Sequence, residues 1–290
     1  MSDNRPIGIF DSGVGGITVL RALKQILPKE NFIYFGDTGR VPYGSKSPEV
    51  VVDYSVQIAE FLKEKDVKAI VIACNTATAR AGKVLEDLLD IPVIGVIKPS
   101  SKEAVVTSKS GLIGVIGTKN TIDSQMYVNE IAELNPEIKV YGKPAPMIAS
   151  YIEENEAHSP GLITELERYL NPLKEKGIDT LILGCTHYSL IKNQIQKVVG
   201  EEIKLIDSGI STAQEVHHLL THTDKMFGGM NNGRSIFYVT GGVQEFQDKL
   251  MVFESPTIHV HQIEIVHLTR PIQVNKVVPY EIPKEQPNIA

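Results

Sequence analysis

Two segments, AIVIAC (residues 69–74) and TLILGC (residues 180–185), decide how this chain is expected to fold. Each is a short apolar run that ends in a cysteine, which is typical of a buried strand in a parallel sheet. These are the two cysteines of the 290-residue chain. Their matched settings indicate two similar halves, each with one thiol at the end of a strand.

Neighbouring segments repeat in the same order. Residues 7–12 are echoed by residues 113–118, and residues 33–36 by residues 139–142, at offsets close to the spacing of the cysteines. Such self-similarity indicates an internal duplication. Between the repeats lie amphipathic stretches with apolar residues every three to four positions, which predict helices at 48–65 and 161–176. The predicted strands cover residues 7–10, 31–35, 69–73, 93–97, 112–116, 138–141, 180–183 and 203–206.

This alternation predicts an α/β fold of two pseudo-symmetric domains, each with a mainly parallel sheet flanked by helices. The first domain is expected to comprise residues 1–97 plus 208–290, and the second residues 98–207. Runs at 237–240 and 257–265 are predicted to be strands that extend the first sheet after the chain returns to it. The active site is expected in the cleft between the domains, where strand C-terminal loops bind ligands.

Composition excludes several classes of protein. The formal net charge is −6, and no basic stripe is present to attract nucleic-acid phosphates, so no nucleic-acid partner is expected. No apolar run approaches the roughly 20 residues that cross a bilayer, and no signal peptide is visible, which predicts a cytoplasmic protein without a membrane partner. Two distant cysteines support neither a disulfide framework nor a cysteine-based zinc site.

Each cysteine precedes small polar residues, CNT (residues 74–76) and CTH (residues 185–187). Backbone N–H groups at a helix start lower a thiol pKa and can hold a carboxylate. One such cysteine alone is more often an inert small hydrophobic residue, but two in matched positions favour a pair. Two acid/base groups across one cleft suit proton removal from one face of a carbon and proton return to the other, which is racemisation or epimerisation.

Other polar residues extend the candidate site. Asp11 ends the first predicted strand and His187 lies two residues beyond its cysteine, so either could shuttle a proton or set the charge of a thiolate. Asp11 could instead cap a helix, and His187 could be a packed loop residue. Side chains that could anchor an acidic substrate are Asn75, Thr76, Thr118, Thr121 and Thr186.

Two further patterns are weaker. The glycine-rich run DSGVGG (residues 11–16) partly imitates a dinucleotide fingerprint but lacks its third glycine, so a tight turn with close backbone approach is the favoured interpretation. His218 with His222, and His259 with His261, share element faces. They are expected to be solvated or packed, and no metal site is predicted. The proline-rich tail after residue 269 is expected to be irregular.

With these residues identified, the chain resembles the glutamate racemases, which make D-glutamate for bacterial cell-wall peptidoglycan. The match runs from about Ile7 to about Leu220. It rests on the motifs IFDSGVGG (9–16), GDT (36–38), PYG (42–44), ACNTA (73–77), GVIGT (114–118) and LGCTHY (183–188).

The resemblance implies that Cys74 and Cys185 are the two catalytic bases and that Glu153 partners His187. It also implies that the small-molecule substrate is L- or D-glutamate, that no cofactor or metal is needed, and that the protein is a homodimer. The substrate contacts that it implies are Asp11, Ser12, Pro42, Tyr43, Gly44, Asn75, Thr76, Thr118, Thr121, Thr186 and His187.

Two other functions stay open from the sequence. In an aspartate racemase-like enzyme, the second cysteine motif resembles Gly-Cys-Thr-Glu, whereas His187 occupies that last position here and favours glutamate. A non-catalytic amino-acid-binding regulator could retain the cleft. The presence of both cysteines argues against it.

Overall fold

The computed structural model describes residues 2–253, 262–266 and 268. Its strands are β1 (Ile7–Asp11), β2 (Phe32–Gly36), β3 (Ala69–Ile72), β4 (Val93–Gly95), β5 (Leu112–Gly117), β6 (Lys139–Pro144), β7 (Thr180–Gly184), β8 (Lys204–Asp207), β9 (Ser235–Val239) and β10 (Gln262–Ile265). They form a six-stranded sheet in the order β10-β9-β2-β1-β3-β4 and a four-stranded sheet in the order β6-β5-β7-β8. All pairings between these described strands are parallel.

Helices connect the strands. They are α1 (Ile17–Ile26), α2 (Pro48–Glu64), α3 (Asn75–Leu88), α4 (Ile97–Thr107), α5 (Lys119–Asp123), α6 (Met126–Leu134), α7 (Pro146–Glu153), α8 (Pro160–Glu175), α9 (Lys192–Val199), α10 (Ser208–His222) and α11 (Val243–Phe253). Short 3₁₀ segments lie at Tyr43–Ser45 and Thr186–Ile191.

The predicted α/β class with two parallel sheets is confirmed. Strands β1, β2, β3 and β7 are buried along their whole length, which explains why the sequence shows continuous apolar runs there instead of alternation. We call the six-stranded sheet with its helices the first half and the four-stranded sheet with its helices the second half.

Both predicted amphipathic stretches are helices, α2 and α8. Each begins with the same local signal, a serine followed by proline at the first helical position. Ser47 Oγ accepts from the backbone N–H of Val50 at 3.5 Å, and Ser159 Oγ accepts from that of Leu162 at 3.2 Å. Serine satisfies an otherwise unpaired N–H, and proline loses no hydrogen bond at this position.

The predicted strand at 93–97 is wrong at its end. Strand β4 stops at Gly95, and Val96 adopts helical backbone angles immediately before α4. The apolar residues Val96 and Ile97 are fully buried, but Ile97 packs in the core of the second half. Apolar residues that join the two halves cannot be distinguished from strand residues by hydrophobicity alone.

The chain returns to the first sheet as predicted, because β9 pairs with β2 and β10 pairs with β9. Residues 257–261 of the predicted last strand, and the tail from Arg270, lie outside the described residues. The predicted domain boundaries stay a prediction. They fall next to the starts of α4 and α10, and α10 packs against α1 of the first half as well as α4.

A buried ion pair ties the first half together at the amino end of β3. Lys68 Nζ lies 2.6 Å from Glu30 Oε2, and the two side chains are 0% and 1% exposed. Lys68 also donates to the backbone carbonyls of Asp3 and Lys225, each at 2.8 Å. Glu30 accepts from the backbone N–H of Phe227 at 2.7 Å. One pair of charges thus joins four separate chain segments.

We expect Glu30→Gln to lower the free energy of unfolding by about 3–5 kcal/mol, because it leaves the Lys68 ammonium buried without its counter-charge. Urea denaturation followed by circular dichroism measures this. The control is Asp90→Asn, which breaks the Lys63–Asp90 pair, whose side chains are 48% and 75% exposed. It should cause no measurable change, since solvent screens exposed pairs. Equal losses of unfolding free energy for the two substitutions would contradict a stabilising role of the buried Lys68–Glu30 pair.

Candidate active site

Cys74 lies between the end of β3 and the first residue of α3. Its Sγ accepts a hydrogen bond from the backbone N–H of Ala77 at 3.4 Å, and the thiol donates to Ser12 Oγ at 3.6 Å. Burial raises the pKa of Cys74 to about 12, and the carboxylate of Asp11 adds to the rise. The Cys74 thiol therefore carries its proton at neutral pH.

Cys185 follows β7 and precedes the 3₁₀ segment Thr186–Ile191. Its Sγ lies 3.7 Å from Nδ1 of His187, and Nε2 of His187 lies 2.9 Å from Oε1 of Glu153 at the end of α7. Burial opposes charge on the imidazole, but the contacts with Cys185 and Glu153 outweigh it and raise the pKa of His187 to about 10. The hydrogen bond from His187 lowers the pKa of Glu153. The structure thus places an imidazolium beside the second thiol.

Asp11 is fully buried at the end of β1. Its Oδ2 accepts from the backbone N–H of Gly13 at 2.9 Å, whereas Oδ1 has no hydrogen-bond partner. Burial raises the pKa of Asp11, and the nearby charge of His187 partly offsets this. Helix α1 begins six residues later, after its N-cap residue Gly16, and the backbone N–H of Gly16 acts to lower the pKa of Asp11. An unpaired buried carboxylate oxygen is a position where a ligand donor could bind.

Three threonine hydroxyls meet across the two halves. Thr76 Oγ1, on α3 of the first half, lies 2.8 Å from Thr118 Oγ1 and 3.3 Å from Thr121 Oγ1, both of the second half. Thr118 and Thr121 are 3.0 Å apart. Next to Thr76, the amide of Asn75 accepts from Tyr127 Oη at 2.7 Å, while its Nδ2 is buried without a partner. These donors suit a carboxylate.

The segment 42–44 contributes its backbone to the candidate site more than its side chains. The Tyr43 hydroxyl donates to Asp37, and Asn120 Nδ2 donates to the Tyr43 carbonyl at 3.1 Å. A Cβ at Gly44 would lie 2.9 Å from Thr118 Cβ, so the close approach requires glycine. Pro42 is exposed. The structure thus brings the backbone of this segment beside the threonine hydroxyls.

The glycine turn after β1 packs against the loop of the second thiol. A Cβ at Gly15 would lie 2.3 Å from Thr186 Oγ1 and 2.6 Å from His187 Nδ1. Thr18 Oγ1 donates to the Thr186 carbonyl at 3.2 Å. The run 11–16 therefore serves close backbone approach, as the sequence favoured.

Sequence reasoning missed the side chains that support the site. Asp37 accepts from Arg40 Nε at 2.8 Å and from Thr240 Oγ1 at 2.7 Å, in addition to Tyr43. In the sequence, Asp37 belongs to the GDT motif (36–38), for which no side-chain contact was predicted. Its position directly after β2, close to that of Asp11 at the end of the neighbouring β1, is the signal that could have revealed it. No local sequence pattern pointed to Tyr127 or Asn120 as part of the site.

Among the residues that the structure describes, no three His, Cys, Asp or Glu side chains are grouped to hold a metal ion. His218 and His222 stack on α10 with ring centroids 3.8 Å apart, and His259 and His261 lie outside the described residues. No helix within the described ranges has the length and apolar character that a membrane span requires.

Comparison with known proteins shows which family the chain belongs to. A family model described as Asp/Glu/Hydantoin racemase matches residues 7–216. The chain belongs to this family. A curated glutamate racemase from Geobacter metallireducens is 45% identical over 236 residues, which is 81% of this chain and 87% of that protein. The resemblance drawn from the motifs is confirmed, and with it the enzyme class, an isomerase that racemises an amino acid.

Solved structures of other racemases share the fold. Glutamate racemase isoform RacE1 from Bacillus anthracis superposes with a TM-score of 0.88 at 38% identity, covering 92% of this chain and 98% of that one. Glutamate racemase from Francisella tularensis, solved in complex with D-glutamate, gives a TM-score of 0.85 at 38% identity, covering 92% and 99%. These neighbours bear out the α/β architecture with two sheets.

We expect Gly15→Ala to push His187 away from Cys185, because the added methyl group would overlap Thr186 and the imidazole. The pKa of His187 should then fall from about 10 toward its ordinary value of 6.5. Titration of the ring nitrogens by NMR measures this.

The control is Gly82→Ala within α3, where the nearest atom to an added Cβ is 3.9 Å away. It should leave the pKa of His187 unchanged and stabilise the protein by roughly 0.5–1 kcal/mol, as alanine does within a helix. An unchanged His187 pKa in Gly15→Ala would contradict the packing argument.

Asp11→Asn should lower the pKa of Cys74 from about 12, because it removes the carboxylate that repels the thiolate. The value should stay above the ordinary 9.0, since burial is the larger cause. Thiolate absorbance during a pH titration, in a Cys185→Ser background, measures it. Asp37→Asn is the control, because that carboxylate bonds Tyr43, Arg40 and Thr240. A Cys74 pKa that responds equally to both substitutions would refute the assignment.

Proposed function

We propose that this protein interconverts L- and D-glutamate without a cofactor, by a two-base mechanism in which Cys74 and Cys185 act from opposite faces of the α-carbon. The observation that carries the proposal is the placement of the thiols. Each follows an interior strand of its own parallel sheet, and the loops of the two halves meet where Gly15 contacts Thr186. One acid/base group on each face suits a reaction that removes a proton from one face of a carbon and returns a proton to the other.

The charged groups beside the two thiols differ, and we assign the thiols opposite roles at the start of the reaction. Cys74 is held protonated by burial and by Asp11, so it is ready to donate a proton. Cys185 lies beside the His187 imidazolium, which stabilises negative charge on its sulfur. In one direction Cys185 removes the α-proton while Cys74 delivers one to the opposite face. After this step Cys185 carries a proton and Cys74 does not.

The reverse direction requires Cys74 to lose its proton and Cys185 to gain one. Asp11 is the nearby carboxylate that can assist Cys74, and its raised pKa makes it a stronger base than an exposed aspartate. His187, oriented by Glu153, assists Cys185. In this proposal Asp11 and His187 are therefore auxiliaries of different thiols, and Glu153 positions His187.

Substrate binding follows from the polar groups without partners. The free Oδ1 of Asp11 would accept from the substrate ammonium group, and the free Nδ2 of Asn75 would donate to a carboxylate. The hydroxyls of Thr76, Thr118 and Thr121, already within 3.3 Å of one another, would turn toward a carboxylate as well. Further proposed contacts come from Ser12, Thr186, His187 and the segment Pro42, Tyr43 and Gly44, where Tyr43 acts through its backbone.

Similar proteins support the choice of glutamate. The Geobacter metallireducens relative is a glutamate racemase, and the Francisella tularensis structure holds D-glutamate. We propose that the D-glutamate made here supplies peptidoglycan synthesis, that the enzyme acts in the cytoplasm as a homodimer, and that its domains comprise residues 1–97 with 208–290 and residues 98–207.

The test uses the purified protein under reducing conditions, without added cofactor, with L-glutamate in deuterated water. Two bases predict that D-glutamate formed early carries deuterium at the α-carbon, while the remaining L-glutamate keeps its hydrogen. Cys74→Ser and Cys185→Ser should each reduce racemisation by at least about 100-fold, since each removes an acid/base group. Optical rotation and mass spectrometry give the two readouts.

Other outcomes separate the alternatives. Faster turnover of aspartate than of glutamate would favour an aspartate racemase-like enzyme. Binding of glutamate without rotation or exchange would favour a non-catalytic regulator. Equal early deuterium in both enantiomers, or racemisation by either serine variant at close to the wild-type rate, would overturn the two-base assignment.

A further inference from the structure

We propose that Cys185, His187 and Glu153 also form a thiol hydrolase triad, which cleaves small activated esters without the participation of Cys74. This second activity goes beyond the racemisation proposed above. It uses Cys185 as a nucleophile on a carbonyl carbon, whereas racemisation uses the same thiol as a proton carrier.

The order of contacts carries the proposal. Cys185 Sγ faces Nδ1 of His187 at 3.7 Å, and the other ring nitrogen faces Glu153 Oε1 at 2.9 Å. A nucleophile, a base within reach of it and a third group that orients the base are the three parts of a nucleophilic triad. The carboxylate fixes the imidazole so that its Nδ1 points at the sulfur.

Charge within the triad suits both steps of such a reaction. The imidazolium of His187 stabilises a thiolate on Cys185, which is the nucleophilic form of cysteine. Two of the causes that raise the pKa of His187 are its contact with Cys185 and the charge of that residue. Both vanish when the sulfur is acylated. The imidazole can then release its proton and act as the base that activates water.

The proposed reaction has two steps, acylation of Cys185 and hydrolysis of the resulting thioester. The Cys185 thiolate attacks the ester carbonyl, the carbon–oxygen bond breaks, and the alcohol leaves with the proton of His187 or of solvent. A thioester on Cys185 results. Water then attacks the thioester as His187 takes its proton, the carbon–sulfur bond breaks, and the carboxylic acid departs. Ester and water thus become acid and alcohol, and the enzyme is regenerated without a redox step.

In this proposal the hydrogen-bond donor for the carbonyl oxygen is the buried amide of Asn75. Its Nδ2 has no partner, and the residue is 3% exposed. Its Oδ1 is held at 2.7 Å by Tyr127, and the charge of Cys185 acts on the Tyr127 hydroxyl. A preoriented amide donor stabilises the tetrahedral intermediate of acyl transfer.

Access limits the substrate to small acyl groups. Cys185 is 8% exposed, whereas the Glu153 side chain at the other end of the triad is 35% exposed. Solvent therefore reaches the triad mainly at Glu153, and the sulfur is nearly buried. We therefore choose a short aryl ester as the substrate, because its acyl group is small.

The first thiol lacks these parts. Cys74 contacts Ser12 and the backbone of Ala77, and its raised pKa keeps it protonated. The residue two positions beyond it is Thr76, where the second thiol has His187. Cys74 is therefore expected to take no part in ester cleavage, which separates the two activities experimentally.

The experiment follows release of p-nitrophenolate from p-nitrophenyl acetate by the intact protein. Wild type and Cys74→Ser should hydrolyse it at rates within about twofold of each other, although Cys74→Ser cannot racemise. Cys185→Ser should lose at least about 100-fold. Mass spectrometry of quenched reactions should find one acetyl group, on the peptide that contains Cys185.

Two further variants make the assignment specific. Glu153→Gln should slow deacylation more than acylation, so the acetyl group accumulates, and should shift the pH profile of hydrolysis to lower pH because His187 loses its anionic partner. His217→Gln, on the exposed surface of α10, should change nothing and controls for cleavage by surface imidazoles.

Hydrolysis that survives in Cys185→Ser, hydrolysis that disappears in Cys74→Ser, or acetylation at Cys74 would each overturn the triad. Failure of the proposed racemisation is a different result, seen as the absence of α-proton exchange in wild type. A protein that cleaves the ester and does not racemise glutamate would support the triad and reject the first proposal.

Discussion

The contact between the glycine turn at Gly15 and the loop of Thr186 and His187 is the constraint on which the candidate site depends. All described strands of both sheets run parallel within their sheet, so their carboxyl ends and the loops that follow lie on one edge of each sheet. The two edges form one site only if their backbones approach closely. Gly15 allows this on one side, and Gly44 allows it against Thr118 on the other.

Duplication of the fold did not duplicate the chemistry. The strands that carry Cys74 and Cys185 are equivalent, but the auxiliaries are not. Asp11 of β1 corresponds in the repeat to Gly117 of β5, and His187 corresponds to Thr76. One thiol therefore lies near a buried carboxylate, and the other lies beside an imidazolium. This difference sets the two thiols apart, because an imidazole within reach of the sulfur and oriented by a carboxylate is present only at Cys185.

Stability and chemistry occupy opposite ends of the first sheet. At the amino end of β3, Lys68 and Glu30 form a buried ion pair and join distant segments of the chain. At the carboxyl end, Asp11 Oδ1 and Asn75 Nδ2 are buried without partners. Buried polar groups that lack partners reduce stability unless a ligand satisfies them. The interactions at the amino end of β3 can offset that cost, because the free energy of folding is the sum of the contributions from both ends.

The sequence by itself determined the strand positions, the duplication and the pair of thiols, because these depend on local hydrophobic pattern and on repeats along the chain. It also indicated Asp11, His187 and the threonines, since each adjoins a strand end or a cysteine. It misassigned Val96 and Ile97, which are buried where the chain passes from the first half to the second. The family resemblance implied that Glu153 partners His187, but only the tertiary structure decided how the groups around each thiol are arranged. Glu153 and His187 are 34 positions apart, and Tyr127 and Asn75 are 52 apart. Hydrogen bonds and charge interactions depend on distances in space, and these are set when the two halves pack.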